Sequence, residues 1–171
     1  MGARARALLA DREGHRRPVI LEAVGSRVAL HADDPSAALP TLPGAVSGRF
    51  ADAHVHLALV DPAPLAASPV GSVLDLGAEP QTIRDAAAHG IRGDGPPARI
   101  EFAGAFLTPP GGYPSDRSWA PAGSFREIAD AADAHRAVAD MATAGASVIK
   151  VADNATAGPV FDDDLFRTIV A

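Results

Sequence analysis

The chain has 171 residues, of which 47% are hydrophobic and 21% are charged, so its composition is that of a globular protein with one ordinary domain, or one domain and a small appendage. The formal net charge of −6 argues against a nucleic-acid-binding surface, which needs a basic patch. The absence of cysteine excludes disulfides and thiolate metal sites. Neither a signal peptide nor an apolar run of membrane-spanning length is present, so we expect a cytoplasmic protein without a membrane span.

The first 48 residues predict a small β-rich N-terminal subdomain. Two apolar runs, at 19–24 and 27–30, are separated by Gly25 and Ser26, which is the pattern of a β-hairpin. Repeated prolines and glycines between residues 35 and 48 then indicate a connecting segment.

From residue 49 onward the pattern alternates between strands and helices. Ser124 and Glu127 have the spacing of a capping box, in which each side chain satisfies a free backbone N–H at the start of a helix. Asp162 and the two aspartates after it predict the start of a last helix. The predicted strands are 50–56, 72–76, 99–107 and 147–152, the predicted helices are 81–89, 125–143 and one that follows Asp162–Asp164, and 93–97 is a predicted link.

Alternating strands and helices predict an α/β fold with a parallel sheet that is covered on both faces. A (β/α)8 TIM-type barrel typically needs about 250 residues. Residues 49–171 therefore predict a partial barrel of about the first four β/α units, preceded by the β-rich piece at 1–48. Because half a barrel leaves two strand edges unpaired, we expect the chain to be truncated.

Two histidines stand at alternate positions of the first predicted barrel strand. Side chains alternate between the faces of a strand, so Asp52, His54 and His56 point to one side. Two neutral imidazoles at this spacing can share one metal ion, each with a ring nitrogen about 2.0–2.1 Å from it. For Asp52 two roles stay open: orienting an imidazole, or accepting a backbone N–H as a core carboxylate.

Lys150 is the single lysine among the 15 basic residues, and it stands inside an apolar run. Burial lowers the pKa of a lysine and so supplies a neutral amine. A neutral amine can add carbon dioxide to become a carbamate, whose two oxygens can bridge metal ions about 3.5–4 Å apart; arginine cannot do this. The alternative is a lysine whose stem packs in the core while its ammonium reaches solvent.

These motifs together resemble the amidohydrolase superfamily. The segment Phe50–Leu57 is similar to the first-strand signature of that family, which follows a small β domain. Lys150 resembles the family's carboxylated strand-four lysine. The stretch 106–119, with Gly111–Pro114, is similar to the branch related to imidazolonepropionase and binuclear dipeptidases.

The resemblance implies a metal-dependent hydrolase that cleaves an amide-type C–N bond, in a cyclic amide or a small peptide, with a metal-activated water. His54 and His56 would be metal ligands and carboxylated Lys150 a bridge between one or two divalent ions, zinc before manganese, cobalt or iron. The family's later ligands, two histidines and one aspartate, have no counterpart here. We therefore expect the chain to be inactive by itself.

The loop at 109–123 contains the only tyrosine and the only tryptophan of the chain. Long loops at a barrel mouth often contact the substrate, so Tyr113, Trp119 and Arg117 are candidate contacts to a small-molecule substrate. The alternative is an ordered surface loop held by its aromatic residues. A homo-oligomer is left open.

Two other functions fit parts of the pattern. Metal-dependent phosphoesterase or nuclease barrels also begin with His-x-His, but their later ligands are typically carboxylates, whereas this chain offers Lys150. The other alternative is a non-catalytic, truncated relic that acts, if at all, by association with another chain.

Overall fold

The structure is a computed structural model that describes residues 2–92 and 97–171. Nearly all of the predicted link at 93–97 lies outside the described residues. The chain divides into two compact units, Met1–Arg49 and Phe50–Ala171. Within the described ranges, no helix has the length and apolar character needed to cross a bilayer.

The first unit is a four-stranded sheet. Its strands are β1 Arg4–Ala10, β2 Arg16–Val24, β3 Arg27–Ala32 and β4 Thr41–Val46. They lie in the order β3-β2-β1-β4. The predicted hairpin is confirmed: β2 and β3 pair antiparallel, and the turn between them has Gly25 at a φ of +59°.

Two strands of this sheet were not predicted. β4 lies in the predicted connecting segment and contains Pro43 and Gly44, yet it pairs parallel to β1. Because β4 is an edge strand, the missing N–H of a proline is tolerated there. β1 is the central strand between β2 and β4, and it contributes Ala7 to a small buried core with Val19 and Ile20.

The second unit combines strands and helices. Its elements are β5 Phe50–Val55, a 3-10 helix Leu57–Leu59, α1 Ala63–Ala66, β6 Val70–Asp75, α2 Pro80–His89, β7 Arg99–Phe102, β8 Phe106–Thr108, β9 Phe125–Glu127, α3 Ala131–Ala144 and α4 Asp163–Val170. Three strands are parallel in the order β5-β6-β7, and β8 and β9 form a separate parallel pair. The prediction for the last helix is confirmed, since Asp162 accepts the backbone N–H of Leu165 at 2.8 Å.

The predicted third barrel strand, 99–107, is wrong as one element, because the chain bends at Gly104. This residue has a φ of +76°, a conformation that L side chains rarely adopt. A Cβ built on Gly104 would also lie 2.6 Å from Met141 Sδ. The bend ends β7, which pairs with β6, and redirects the chain into β8, which pairs with β9.

The predicted capping box is wrong as well. The residues behind Ser124 form β9 and extend the β8 ladder instead of starting a helix. The Glu127 carboxylate accepts the backbone N–H of Gly111 at 2.8 Å. Helix α3 begins later, after Asp130, whose carboxylate accepts the N–H of Asp133 at 2.8 Å.

The predicted fourth strand, 147–152, is reduced to a single parallel bridge between Val151 and Leu107. The N–H of Leu107 donates to the carbonyl of Lys150 at 2.8 Å, and the N–H of Ala152 donates to the carbonyl of Leu107 at 2.9 Å. The segment therefore lies beside β8, but its pairing is too short to form a strand.

Two apolar clusters stabilise the second unit. One joins β6, β7 and α2 around Val73, Ile83 and Phe102. The other joins β8 to α3 and α4 around Leu107 and Ile128. The predicted α/β character, with a β-rich start followed by a parallel sheet, is confirmed.

Candidate metal centre

The two imidazoles predicted as ligands meet at the carboxyl end of β5. His54 Nε2 and His56 Nε2 are 3.3 Å apart, and the ring centroids are 5.2 Å apart with the planes at 74°. His54 is exposed, whereas His56 is half-buried. The structure thus brings both rings together with the same nitrogen of each facing the other.

This separation fits two ligands of one tetrahedral ion. Two nitrogens that each lie about 2.0–2.1 Å from a zinc-like ion, at a tetrahedral angle, are about 3.3–3.4 Å from each other. The observed Nε2 to Nε2 distance of 3.3 Å has this value. The residues present therefore fit a divalent metal such as zinc.

His56 is held in place by its surroundings. Its ring stacks on Phe106, with centroids 5.5 Å apart and planes at 29°. Burial lowers the pKa of His56 below its ordinary value, and the charges of His54 and Lys150 lower this pKa further. The charge of Asp75 and a hydrogen bond to the backbone of Gly77 act in the opposite direction. Burial thus favours the neutral imidazole, the form that binds a metal.

Sequence reasoning missed Asp75, the last residue of β6. Its side chain is fully buried, with Oδ2 accepting the N–H of Leu57 at 2.7 Å and Oδ1 accepting the N–H of Gly77 at 2.9 Å. Asp75 therefore holds the backbone of Leu57, which follows His56, next to that of Gly77, which follows β6. An aspartate that ends an otherwise apolar run was the available signal.

Asp52 takes a different position from the one predicted. Its Oδ1 accepts the backbone N–H of His54 at 3.1 Å, and the residue is exposed. The expected bond to a backbone N–H is present, but the expected burial is wrong. Asp52 holds the backbone of His54, and among the described contacts it does not bind an imidazole.

Lys150 is half-buried beside β8, in the segment that forms only one bridge. Its positive charge contributes to lowering the pKa of His56, so the ammonium lies within electrostatic reach of this imidazole. The predicted setting inside an apolar strand is wrong, because the chain around Lys150 is too irregular to form one.

The three loop residues predicted as substrate contacts are close to one another. The rings of Tyr113 and Trp119 have centroids 6.0 Å apart, and the Arg117 guanidinium lies 5.9 Å from the Tyr113 ring. Arg117 also donates to the carbonyl of Ala157 at 3.2 Å and pairs with Asp116 at 3.3 Å. The partners of Arg117 are thus internal, and the guanidinium fixes the loop.

Two concave sites share His56. A small cavity of about 150 Å³ lies between the imidazole and the loop at 109–123, which we call the aromatic loop, and its lining includes Tyr113, Trp119 and Ser124. An open groove of about 480 Å³ follows the residues after β5 and includes both imidazoles. A third cavity, of about 410 Å³ and against α2, does not include the imidazole pair.

A second group of possible metal ligands lies in the first unit. Asp11, Glu13 and His15, near the turn between β1 and β2, have ligand atoms within 4.8 Å of one another. All three are exposed, and the Asp11 carboxylate already accepts the backbone N–H of His15 at 2.8 Å. Within residues 2–92 and 97–171, no other group of three His, Asp or Glu side chains is this close.

Neither a family model nor a curated protein sequence matches this chain. Solved structures do match its fold. A Xaa-Pro dipeptidase with methionine bound in its active site matches with a TM-score of 0.68 and 16% identity, over 99% of this chain and 53% of its own. An amidohydrolase matches with a TM-score of 0.66 and 19% identity, over 99% and 53% of the two chains.

The ochratoxinase of A. niger matches with a TM-score of 0.64 and 19% identity, over 99% of this chain and 52% of its own. The chain therefore spans about half the length of the solved structures that it matches. Identities this low establish the fold alone. The predicted resemblance to the amidohydrolase superfamily is thus confirmed at the level of the fold, and this chain has the fold of about half of such a protein.

Proposed function

We propose that this chain forms part of a metal-dependent hydrolase that cleaves an amide-type C–N bond, in a cyclic amide or a small peptide. The observation that carries the proposal is the 3.3 Å between His54 Nε2 and His56 Nε2 at the carboxyl end of β5. In parallel barrels this end of the strands is where active sites form. The structural neighbours support the proposal, because they include hydrolases such as a dipeptidase and an ochratoxinase.

His54 and His56 would hold a divalent ion, zinc before other metals, and Lys150 in its carboxylated form would supply oxygen ligands on the side of His56. When bound, such an ion polarises a carbonyl and lowers the pKa of a water toward neutrality. His56 is kept in position by Phe106 and by the backbone of Gly77. The chain thus supplies a preformed pair of ligands.

The aromatic loop has a separate task in this proposal. Tyr113 and Trp119 line the cavity next to His56 and would contact the substrate. Arg117 would keep the loop over the site through its bonds to Ala157 and Asp116. In this proposal the cavity wall would contact the part of the substrate next to its reacting carbonyl, and the imidazole pair would hold the ion beside that carbonyl.

We further propose that residues 50–171 correspond to about four β/α units of a (β/α)8 barrel. The parallel order β5-β6-β7 supports this, as does the match to about half of each neighbouring chain. Among the described residues no third His, Asp or Glu side chain completes a three-ligand site with the imidazole pair. By itself the chain is therefore expected to bind metal weakly and to show no turnover.

Titration of the full chain with Co²⁺, followed by visible absorption, tests the metal site. We expect saturable binding in the wild type and at least about tenfold weaker binding in His54→Ala, because one of two imidazole ligands is lost. His89→Ala is the matched control, since His89 lies on α2 and binds the carbonyl of Asp85 at 2.8 Å. Equal Co²⁺ affinity of His54→Ala and the wild type would refute the ligand assignment.

The carboxylated lysine has its own test. Because Lys150 is the only lysine, ¹³CO₂ in the presence of Zn²⁺ should give one metal-dependent lysine carbamate signal in the ¹³C NMR spectrum. Lys150→Arg keeps the charge but cannot form a carbamate, so the signal should disappear. A signal that persists in Lys150→Arg, or that is absent from the metal-loaded wild type, would contradict a carboxylated bridge.

A further inference from the structure

The sheet of the first unit has two edge strands, and only one of them is protected against pairing with another chain. The edge strand β4 contains Pro43 and Gly44, and its pairing with β1 shifts register. Proline and irregular pairing hinder the addition of a further strand. The other edge strand, β3, contains neither proline nor glycine and pairs with β2 without a register shift. The free edge of β3 is therefore regular and unprotected.

The hairpin determines which backbone groups of β3 point to this edge. Val24 and Arg27 flank a two-residue turn and are opposite each other, so they exchange hydrogen bonds. The alternation along an antiparallel pair then directs the N–H and C=O groups of Val28 and Leu30 away from β2. Among the described residues, no segment other than β2 forms backbone hydrogen bonds with β3. These donors and acceptors are thus available to another strand.

The side chains of the same two residues are apolar and exposed. Val28 is 62% exposed and Leu30 is 52% exposed. They are two positions apart in the strand and so lie on one face of the sheet. A regular edge strand with exposed apolar side chains is the kind that adds to the sheet of another chain.

The strand β3 is complementary to a second copy of itself. When two copies pair antiparallel with Ala29 opposite Ala29, Val28 of each copy lies opposite Leu30 of the other. This register also makes each Val28 and Leu30 a hydrogen-bonded pair, because the N–H and C=O groups of both point to the edge. The two apolar pairs and the backbone bonds therefore form together in one register.

The charges on the other face are complementary in the same register. Arg27 has no ion pair among the described residues, and it would lie opposite His31 of the second copy. The ring of His31 is 3.0 Å from the Glu22 carboxylate of its own chain. Only the small side chain of Ala29 stands between this carboxylate and the incoming guanidinium. Each copy thus supplies a cation to an acidic position of the other.

We propose that β3 is an interface between two copies of this chain, which pair through this strand around a two-fold axis at Ala29. The two four-stranded sheets then become one continuous sheet. A two-fold interface uses the same surface of both copies, so a single strand supplies both sides of the contact. The proposal uses residues of the first unit only and is independent of the proposed metal site.

Sedimentation equilibrium of the full chain over a series of concentrations tests the interface. We expect a reversible equilibrium between monomer and dimer. Leu30→Lys should raise the dissociation constant at least about tenfold, because it removes both apolar pairs and places an ammonium group at each of them. Leu30 is exposed in the single chain, so the variant should fold, and far-ultraviolet circular dichroism checks this.

Leu42→Lys is the matched control, since it makes the same substitution at a 40% exposed leucine of the protected edge strand β4. Its dissociation constant should equal that of the wild type. A wild-type chain that stays monomeric at every concentration, or a dimer that Leu30→Lys and Leu42→Lys affect equally, would overturn the proposal.

The register has its own test, because the chain contains no cysteine. In the proposed register Ala29 and its copy form a non-hydrogen-bonded pair, whose Cα atoms are about 4.5 Å apart, a separation that a disulfide can span. Ala32→Cys is the control for Ala29→Cys: Ala32 is exposed in the same strand, but its two copies would be about 20 Å apart.

Under mild oxidation, Ala29→Cys should form a disulfide-linked dimer at least about tenfold faster than Ala32→Cys, as measured by non-reducing electrophoresis. Equal rates of the two variants would overturn the proposed pairing. Neither experiment needs a metal. A chain that dimerises through β3 but fails to bind Co²⁺ would refute the proposed hydrolase and leave this interface intact.

Discussion

The environment of His56 shows how single residues determine the geometry of this site. The imidazole is stacked on one side by Phe106. The backbone next to it is held because Asp75 accepts the N–H of Leu57, the residue after His56, as well as the N–H of Gly77. Gly77 also leaves room for the stack, since a Cβ at this position would lie 2.0 Å from the Phe106 ring. The proposed metal ligand His56 is therefore positioned by residues that are not themselves proposed as ligands.

We expect Asp75→Asn to destabilise the chain by about 2–3 kcal/mol. The carboxylate accepts the backbone N–H groups of Leu57 and Gly77, one on each oxygen. In asparagine one of these oxygens is replaced by an NH₂ group, which cannot accept, so one of the two backbone N–H groups is left buried without an acceptor. Urea unfolding followed by circular dichroism measures the change. The affinity for Co²⁺ should also fall about tenfold, as for other residues that orient a metal ligand.

Asp85→Asn is the control for this change. Asp85 lies on α2, is exposed and accepts the side-chain N–H of Gln81 at 2.8 Å. Its substitution should alter the free energy of unfolding by less than about 0.5 kcal/mol. If Asp75→Asn were as mild as Asp85→Asn, the two hydrogen bonds of Asp75 would not hold the backbone as described.

At the scale of elements, β9 is joined to α3 by one arginine. Arg126 Nη2 donates to Asp133 at 2.8 Å, and Nη1 donates to Asp140 at 2.6 Å. The hydrogen bond from Arg126 holds the pKa of Asp133 below its usual value, and the two carboxylates raise the pKa of Arg126. The next residue of β9, Glu127, accepts the backbone N–H of Gly111 in the aromatic loop. β9 therefore links the aromatic loop to α3 through two neighbouring side chains.

The lowered pKa of Asp133 gives the stability of this connection a definite pH dependence. The folded pKa lies below the unfolded value of about 3.9, so the contribution is present above that value and is lost as the pH falls through the folded pKa. We expect Arg126→Gln to cost about 0.5–1 kcal/mol at pH 7. The difference from the wild type should shrink below about pH 4.

Urea unfolding at a series of pH values measures this effect. Arg136→Gln is the matched control, because Arg136 is more exposed than Arg126 and its contact to Asp133 is longer, at 3.3 Å. Its cost should be smaller at every pH. A difference between Arg126→Gln and the wild type that does not change with pH would contradict a role of the Asp133 carboxylate.

At the scale of the whole molecule, the division into two units has a direct consequence for the site. The described contacts of His54, His56, Asp75 and the aromatic loop are all made by residues of the second unit. This unit also has both apolar clusters around its strands and helices. The site should therefore be a property of residues 50–171.

We expect residues 50–171, expressed alone, to fold and to bind Co²⁺ at the imidazole pair with the affinity that this pair has in the full chain, because the proposed ligands His54, His56 and Lys150 all lie in these residues. Far-ultraviolet circular dichroism reports the folding, and the Co²⁺ absorption titration reports the affinity. The same fragment with His54→Ala is the control. A fragment that is folded but has lost wild-type affinity would show that the first unit contributes to the site.

The alternation of side chains along a strand let the sequence predict the imidazole pair. His54 and His56 are two residues apart, so a single local rule places both on one face, and no distant residue is needed. The same holds for the hairpin turn at Gly25 and for the cap of α4 at Asp162, which depend on neighbours along the chain. Local patterns such as these survive folding because their physical cause is local.

Tertiary structure decided the features whose cause lies far along the chain. The bend that divides one predicted strand into β7 and β8 lies at Gly104. Met141, far along the chain, occupies the space where a side chain at this position would be. Glu127 binds Gly111 instead of capping a helix, because the β8 ladder extends through this segment. Asp75 gains its role only when distant segments bury it. The sequence alone determined that the two imidazoles face each other, whereas burial and long-range pairing decided which residues hold them and which lie beside them.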